Sequence, residues 1–323
     1  MSCVKPLTAW SMPYMVAGQL KNEISFKECP DSNKISIPCG QCIGCRLERS
    51  RQWAMRCMHE AQLHEENCFI TLTYNDKHLP KDYSLNHRHF QLFIKRLRKN
   101  IAPKRIRFYM AGEYGSKFGR PHYHAAIFGW SPKDKTLLKR TGSGSIIYKS
   151  EELADCWKIR TPGTRKYESL GYSSVGDVTF ESAAYIARYI VSKQTGNIDP
   201  NHYNWCDIQT GEIHYLKPEY NKMSLRPMSG IIGDPGGIGA EWYKKFKSDV
   251  YPHDYVVVRG KKMRPPKYYD KLYQNDNPFE YDEITYKREI SAKLNPDNHD
   301  PKRLDAKRQI LESRLSLLKR TLT

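Results

Sequence analysis

The 323-residue chain is long enough for one large or two modest domains, and it carries 53 Lys+Arg against 35 Asp+Glu, a formal net charge of +18. So large an excess is costly in self-repulsion and points to a polyanionic partner, nucleic acid before any other. No run approaches the roughly 20 apolar residues of a membrane span, and nine cysteines behind an N-terminus without a secretory signal exclude a disulfide-built secreted domain and favour thiols in a reducing cytoplasm.

In chain order, the first ~40 residues read as irregular, Pro- and Cys-containing chain ending in PCGQCIGCR. A helix rich in arginine is expected from about Ile43 to Glu66, with Arg46, Arg49, Arg51 and Arg56 along it. Arg46 and Arg49 are candidate DNA contacts. Phe69 to Tyr74 (FITLTY) alternates and is β-branched, so it predicts a strand. Asn86 to Asn100 predicts an amphipathic helix with Phe90, Phe93, Ile94 and Leu97 on one face. Ile106 to Glu113 and His122 to Gly129 predict two further strands joined by a glycine-containing turn, GEYGSKFGRP. That is hairpin geometry, and it makes the two strands antiparallel neighbours.

A helix is expected over Glu181 to Lys193, and beyond about residue 200 the chain reads as loop-rich. GIIGDPGGIG forms a loop there, ahead of a short helix at Glu241 to Ser248. From about Pro301 a basic helix carries a stripe of Leu304, Leu311, Leu315, Leu318 and Leu322. Such a stripe suits docking on the chain's own core as well as contact with a partner or DNA. There is no internal repeat. The 22 tyrosines and 12% aromatic content suit stacking on unpaired bases.

Three motifs carry chemistry. In Arg120-Pro121-His122-Tyr123-His124 the two histidines fall on one side of a strand, about 7 Å apart, where they can grip one divalent ion. Glu113, closing the preceding strand, lies across the hairpin from them. Two imidazoles and a carboxylate leave coordination positions open, as a catalytic metal site requires. Arg120 beside them is a candidate DNA contact.

Tyr185, Tyr189 and Lys193 recur at i, i+4 and i+8. At about 100° per residue they share a sector with Glu181, Ser182, Arg188 and Ser192, opposite Phe180, Ala183, Ala187, Ile190 and Val191. The tyrosines are therefore expected on the polar face of the helix, away from its apolar stripe. A phenol with pKa near 10 becomes a competent nucleophile when a metal polarises the target phosphate and a cation such as Lys193 or Arg188 favours the phenolate. Two tyrosines on one helix allow two consecutive transesterifications.

Cys39-x2-Cys42-x2-Cys45, with turn-forming Gly40 and Gly44, suggests a structural zinc knuckle whose fourth ligand is Cys3, or as second candidate Cys29. Reduced cysteines beside a plain turn and an iron–sulfur cluster are the alternatives. No G-x-x-x-x-G-K-[ST] loop occurs, so the chain is expected to borrow a host helicase and DNA polymerase rather than unwind DNA itself.

Taken in order, FITLTY, GEYG…RPHYHAAIFG and YIARYIVSK resemble the three motifs of HUH endonucleases of the replication-initiator type. With CGQCIGCR, the chain is similar to the replication initiation proteins of small single-stranded DNA microviruses, of the gokushovirus branch. The resemblance runs from Cys3 through GIGAEWYKKFKSDVYP to the YYDK near Tyr268 and weakens over the last ~40 residues. It implies an α+β fold with a central antiparallel sheet and flanking helices, and rolling-circle initiation through a 5′-phosphotyrosine and a free 3′-OH. His122 and His124 would be ligands of Mg²⁺ or Mn²⁺, with Glu113 the third ligand and Tyr185 and Tyr189 the nucleophiles. Lys193 sits one residue beyond the YxxxYxxK spacing of some relatives.

The domain organisation expected is residues 1–66 as a zinc-bearing extension with its basic helix, 67–282 as the endonuclease domain, and 283–323 as a basic helical tail. The partners implied are single-stranded and origin DNA, in the cytoplasm of a bacterial host and with no membrane. A relaxase or transposase using the same chemistry is the enzyme alternative, although relaxases usually place the tyrosine ahead of the histidines. A zinc-containing nucleic-acid-binding protein without catalysis is the alternative from another class.

Overall fold

The computed structural model describes the chain apart from residues 1–2, 17–18, 116–118, 143, 193–202, 207–210, 225–235, 295–299 and 318–323. Two compact units emerge, one of Met1–Arg49 with Tyr286–Lys319, the other of Ser50–Thr285.

In the first unit, the stretch expected to be irregular is instead a three-stranded antiparallel sheet. Its strands β1 (Leu7–Val16), β2 (Gln19–Ser25) and β3 (Asn33–Ile37) pair in the order β2-β1-β3. These strands leave Leu7, Tyr14, Met15 and Ile24 exposed, so they lack the inward-apolar, outward-polar alternation by which a strand is read. Helix α1 (Ile43–Ala61) starts here, and from Ser50 onward belongs to the second unit, where Ala54, Met55 and Cys57 are fully buried.

The second unit is mixed α+β. Along it run β4 (Asn67–Tyr74), α2 (His87–Asn100), β5 (Arg107–Tyr114), β6 (Pro121–Phe128), β7 (Thr136–Arg140), β8 (Ile146–Lys149) and α3 (Glu151–Ala154). A small hairpin, β9 (Lys158–Arg160) with β10 (Tyr167–Ser169), leads to β11 (Gly171–Gly176) and α4 (Phe180–Ser192). A second hairpin, β12 (Asn204–Cys206) with β13 (Ile213–Tyr215), precedes β14 (Tyr220–Met223) and α5 (Ala240–Val250). A third, β15 (Val256–Val258) with β16 (Lys261–Met263), precedes α6 (Lys267–Asp276). Seven strands form one antiparallel sheet in the order β14-β5-β6-β4-β11-β8-β7, flanked by helices, the arrangement of the HUH endonuclease fold.

Strand alternation gives this sheet two different faces. Tyr123, Ala125 and Ile127 of β6, with Ile70 and Leu72 of β4, face α2, whose Phe90, Phe93, Ile94 and Leu97 complete one core. Asn86 starts that helix by accepting from the Arg88 N–H at 3.1 Å. Phe69, Tyr109, Ala111, Ala126 and Phe128 face the other way and pack with Ala183, Tyr185, Ile186 and Ala187 of α4. The adjacent Ala125 and Ala126 point to opposite faces of the most enclosed strand, whose eight residues are all buried. Thr179 and Ser182 exchange backbone-to-side-chain hydrogen bonds of 2.8 and 3.1 Å at the start of α4.

A third cluster joins Met55 to α5 and α6. At its edge the buried Glu60 receives Arg107 Nη1 at 3.0 Å and the Gly239 N–H at 2.7 Å, while Arg107 also donates to the Gly236 carbonyl. Glycine is required at 239: φ is +83°, and a Cβ there would overlap the buried Tyr269 hydroxyl. The first six residues of GIIGDPGGIG lie outside the described residues, and Gly236–Gly239 are held by these contacts.

The chain ends in α7 (Pro278–Lys293) and α8 (Pro301–Ser316), neither of which buries a side chain fully. Leu304, Leu311 and Leu315 are half-buried; Leu318 and Leu322 lie outside the described residues. Among the described residues no helix is long and apolar enough to cross a membrane.

Candidate metal centres and active site

The register of β5 and β6 sets Glu113 opposite His122 and Ala111 opposite His124. Opposed residues of an antiparallel pair share a sheet face, so the carboxylate and both imidazoles converge. Glu113 Oε1 is 2.7 Å from His122 Nε2 and 2.8 Å from His124 Nε2. One ligand atom from each residue lies within 4.8 Å of the others. All three are buried: Glu113 and His124 are 0% exposed and His122 is 7%.

The other ring nitrogens are also held. His122 Nδ1 donates to the Arg120 carbonyl at 3.0 Å, and His124 Nδ1 is 2.9 Å from Thr71 Oγ1 on β4. With each Nδ1 engaged, both Nε2 atoms are aimed at the same point, as in metal sites whose ligands are fixed from behind.

Electrostatics reinforce the cluster. Burial pushes the Glu113 carboxyl up, but the charge of His124 and hydrogen bonds from both imidazoles outweigh it and hold it below the usual carboxylate range. For His122 burial opposes the charge, and the Glu113 hydrogen bond overcomes it, so the net shift is upward. For His124 burial prevails and the shift is downward. Of the two imidazoles, His122 is the one whose protonated form the carboxylate sustains. The second oxygen, Glu113 Oε2, is buried with no hydrogen-bond partner among the described residues. A buried carboxylate oxygen without a donor is costly, and an N₂O set with one oxygen to spare fits a divalent cation with open positions.

Helix α4 brings Tyr185 onto this site, its ring edge-on to His124 with centroids 5.1 Å apart. The wheel separates Tyr185 from the apolar stripe, yet the structure buries both: Tyr185 is 6% and Ser182 4% exposed, beside fully buried Ala183, Ile186 and Ala187. The correction has a simple cause. The sheet face beneath α4 is itself polar at His122 and His124, so the helix sector that covers it is polar too. Glu181, in the same sector, is exposed and ion-paired with Arg259. Tyr189 and Arg188 lie on the backbone of α4, but their side chains, and Lys193 entirely, are outside the described residues.

Arg120 is committed locally, donating to the Tyr74 carbonyl at 3.0 Å and pairing with Asp76. Thr71 and Thr73 are neighbours of the site that motif reading misses. The alternation of FITLTY already sets Phe69, Thr71 and Thr73 on one face, and the register pairs Thr71 with His124 and Thr73 with His122.

In the first unit, Cys3, Cys39, Cys42 and Cys45 gather with their Sγ atoms within 4.8 Å of one another. Cys3 Sγ is 3.7 Å from both Cys39 Sγ and Cys42 Sγ. Backbone N–H groups of Val4, Cys39 and Cys42 donate to Cys42, Cys3 and Cys39 sulfur at 3.4, 3.4 and 3.3 Å. Cys29 is elsewhere, bonded to the Lys27 carbonyl. Arg49 donates to the Gly40 carbonyl at 3.1 Å within the knuckle, and Arg46 is half-buried.

The family model for replication-associated proteins of the ORF2 type matches residues 67–195, the stretch that holds Glu113, both histidines and α4. The chain is 30% identical over 301 residues to the replication-associated protein VP4 of Bdellovibrio phage phiMH2K, covering 91% of this chain and 84% of that relative. It is 29% identical over 321 residues to the replication-associated protein ORF2 of Spiroplasma virus 4, covering 91% and 87%. To the replication-associated protein ORF4 of Chlamydia phage 1 it is 36% identical over 269 residues, covering 79% and 59%. No solved structure matches the chain significantly.

Proposed function

The chain belongs to the replication-associated proteins of microviruses, and on that footing we propose that it is the endonuclease that opens and rejoins origin DNA in rolling-circle replication. The observation that carries this reading is the convergence of Glu113, His122 and His124 with the Tyr185 ring against them. His122, His124 and Glu113 would hold Mg²⁺ or Mn²⁺, which when bound polarises the scissile phosphate.

Tyr185 or Tyr189 then attacks phosphorus. The tyrosyl O–P bond forms and the P–O3′ bond breaks. The phenol gives up its proton, and the leaving oxygen takes one to become a free 3′-OH. The second tyrosine repeats the exchange in reverse on the next strand passage and closes the circle. Burial of Tyr185 supports a nucleophile held in place before the substrate arrives. Single-stranded and origin DNA are the substrates, host helicase and polymerase the partners, and the bacterial cytoplasm the place of action. Residues 67–282 would make the endonuclease domain, with 1–66 and 283–323 as its zinc-bearing and helical flanks.

The test is nicking of hairpin oligonucleotides with Mn²⁺, with EDTA, and by the His122→Ala/His124→Ala variant, followed by mass spectrometry of the trapped peptide. Metal-dependent cleavage with an adduct on Tyr185 or Tyr189 is expected. An adduct on any other residue, or cleavage by the double variant in EDTA, overturns the reading.

At the four cysteines we propose a closed structural zinc site. Four mutually adjacent sulfurs with three N–H···S contacts support a tetrathiolate, and no position is left for substrate. About one zinc per chain, lost in Cys3→Ser, is expected from elemental analysis. A brown chromophore with iron instead of zinc would assign a cluster, and a chain without either that keeps its fold would leave the thiols as plain cysteines.

A further inference from the structure

We propose that Tyr172 is a stacking platform for an unpaired base of the DNA strand held at the metal triad. The inference rests on the nuclease reading above and adds a substrate-positioning residue to it.

One row of residues runs straight across the sheet. Glu113 pairs with His122, His122 with Thr73, and Thr73 with Tyr172, through β5, β6, β4 and β11. Directly opposed residues share a face, so Tyr172 stands on the same face as the triad, two strand spacings or roughly 10 Å from His122. Alternation along β11 agrees. Its neighbour in parity, Ser174, pairs with Thr71 on the triad face, whereas Val175 pairs with Ile70 and is buried in the α2 core.

The cover over this face is uneven. Above Tyr109, Ala111 and Ala126 lies α4, but Tyr172 is 71% exposed and makes no hydrogen bond or ring contact among the described residues. Between it and His122 lie only the small hydroxyl side chains Thr73 and, one row on, Thr71 and Ser174, all half-buried. The result is a polar shelf with a carboxylate–imidazole cluster at one end and a bare aromatic ring at the other.

The ring is also fixed in place. Gly171 comes so close to the Thr73 carbonyl that a Cβ there would overlap it, with φ at +153°. Asn75 donates to the Leu170 carbonyl at 2.9 Å, and Trp157 Nε1 to the Thr73 carbonyl at 3.1 Å. A rigid, exposed ring beside a phosphate-handling centre, in a chain of net charge +18, is what stacking on single-stranded DNA uses, because every base offers a π-face.

The test uses the full chain and a fluorescent oligo-dT strand, with an abasic strand of equal length as control. Tyr172→Ala should weaken binding to oligo-dT by about 5- to 100-fold and leave binding to the abasic strand unchanged. Tyr172→Phe should bind both strands as the parent does. An Ala variant with parental affinity, equal losses on both strands, or a Phe variant as weak as Ala would each overturn the platform. Because binding is read without cleavage, the outcome is separable from the nuclease reading. A parent chain that binds oligo-dT through Tyr172 yet never nicks would sink that reading and leave the platform standing.

Discussion

Thr71→Val is the sharpest probe of the proposed centre. Valine matches threonine in shape, so the change removes one hydroxyl and little else. That hydroxyl lies 2.9 Å from His124 Nδ1, on a ring that is 0% exposed. With the hydroxyl gone, Nδ1 loses that partner and the ring is freed to rotate or to move its proton to Nε2, the atom that faces Glu113. A neutral hydrogen bond contributes about 1–1.5 kcal/mol, and a buried donor left unsatisfied costs about 1–3 kcal/mol. If about 1–2 kcal/mol of this falls on metal affinity, binding weakens roughly 5- to 30-fold at 1.4 kcal/mol per tenfold. That agrees with the ~10- to 100-fold typical of groups that hold a ligand from behind. The assay is the Mn²⁺ concentration for half-maximal nicking, with calorimetric Mn²⁺ binding alongside. The expected variant needs more Mn²⁺ but reaches a near-parental rate at saturation. An unchanged Mn²⁺ requirement, with only the melting temperature lowered, would refute the positioning role and leave Thr71 a packing residue.

Three further outcomes follow from the geometry. Tyr185→Phe and Tyr189→Phe keep the ring and should hardly alter the melting temperature; each single variant should fail to release closed circles, the double should be inert while still binding DNA, and release by a single variant would make the other tyrosine structural. Glu60→Gln leaves the buried Arg107 without its counter-charge, at a cost of about 3–5 kcal/mol, and Glu60→Leu/Arg107→Met should recover most of it. Burial pushes Glu60 up, but the His64 hydrogen bond and the Arg107 charge hold it below 4.5, so its contribution is complete above that pH and fades below it; the parent-to-variant gap in denaturant melts should therefore narrow on acidification, and a gap constant down to pH 3 would rule out the linkage. Gly239→Ala adds a Cβ against an immobile Tyr269 at positive φ and should cost about 2–4 kcal/mol, whereas Gly163→Ala, equally positive in φ but with nothing near, should cost about 1–2 kcal/mol; equal losses in thermal melts would contradict the overlap.

The sheet core and the metal triad were legible because strand period and hairpin logic are local. HxH on one strand and Glu113 at the end of the strand before it need only alternation and a turn to meet. The positions of α2 and α4 followed from their periodicities, to within a residue or two. What was not legible depended on partners distant in sequence. Thr71 and Tyr172 acquire meaning only through the pairing of β4 with β6 and of β11 with β4, across separations of about 50 and 100 residues. The N-terminal sheet escaped because exposed apolar residues blur its alternation. The burial of Tyr185 escaped because a helical wheel reports the contrast between two faces and not which of them meets a polar surface.

The cost of the triad explains where it is built. Three polar groups at 0 to 7% exposure, one of them with a spare oxygen, are less favourable than an apolar triad of the same volume. A loop would relax such a cluster toward water. The second and third strands of a seven-stranded sheet cannot, because each backbone is hydrogen-bonded on both sides. Thr71 and the Arg120 carbonyl then fix both rings from behind. The ordering entropy is spent in folding, before any substrate arrives. The tyrosine comes from a helix, seated over Ala111 and Ala126, where small side chains let it approach. Ala126→Val should therefore shift Tyr185 away from His124 and slow nicking while leaving Mn²⁺ binding at parental strength, since no ligand-holding contact passes through Ala126. A rise in the Mn²⁺ requirement equal to that of Thr71→Val would show that helix and ligands move together, and that the division between a rigid sheet site and a separately seated nucleophile is wrong.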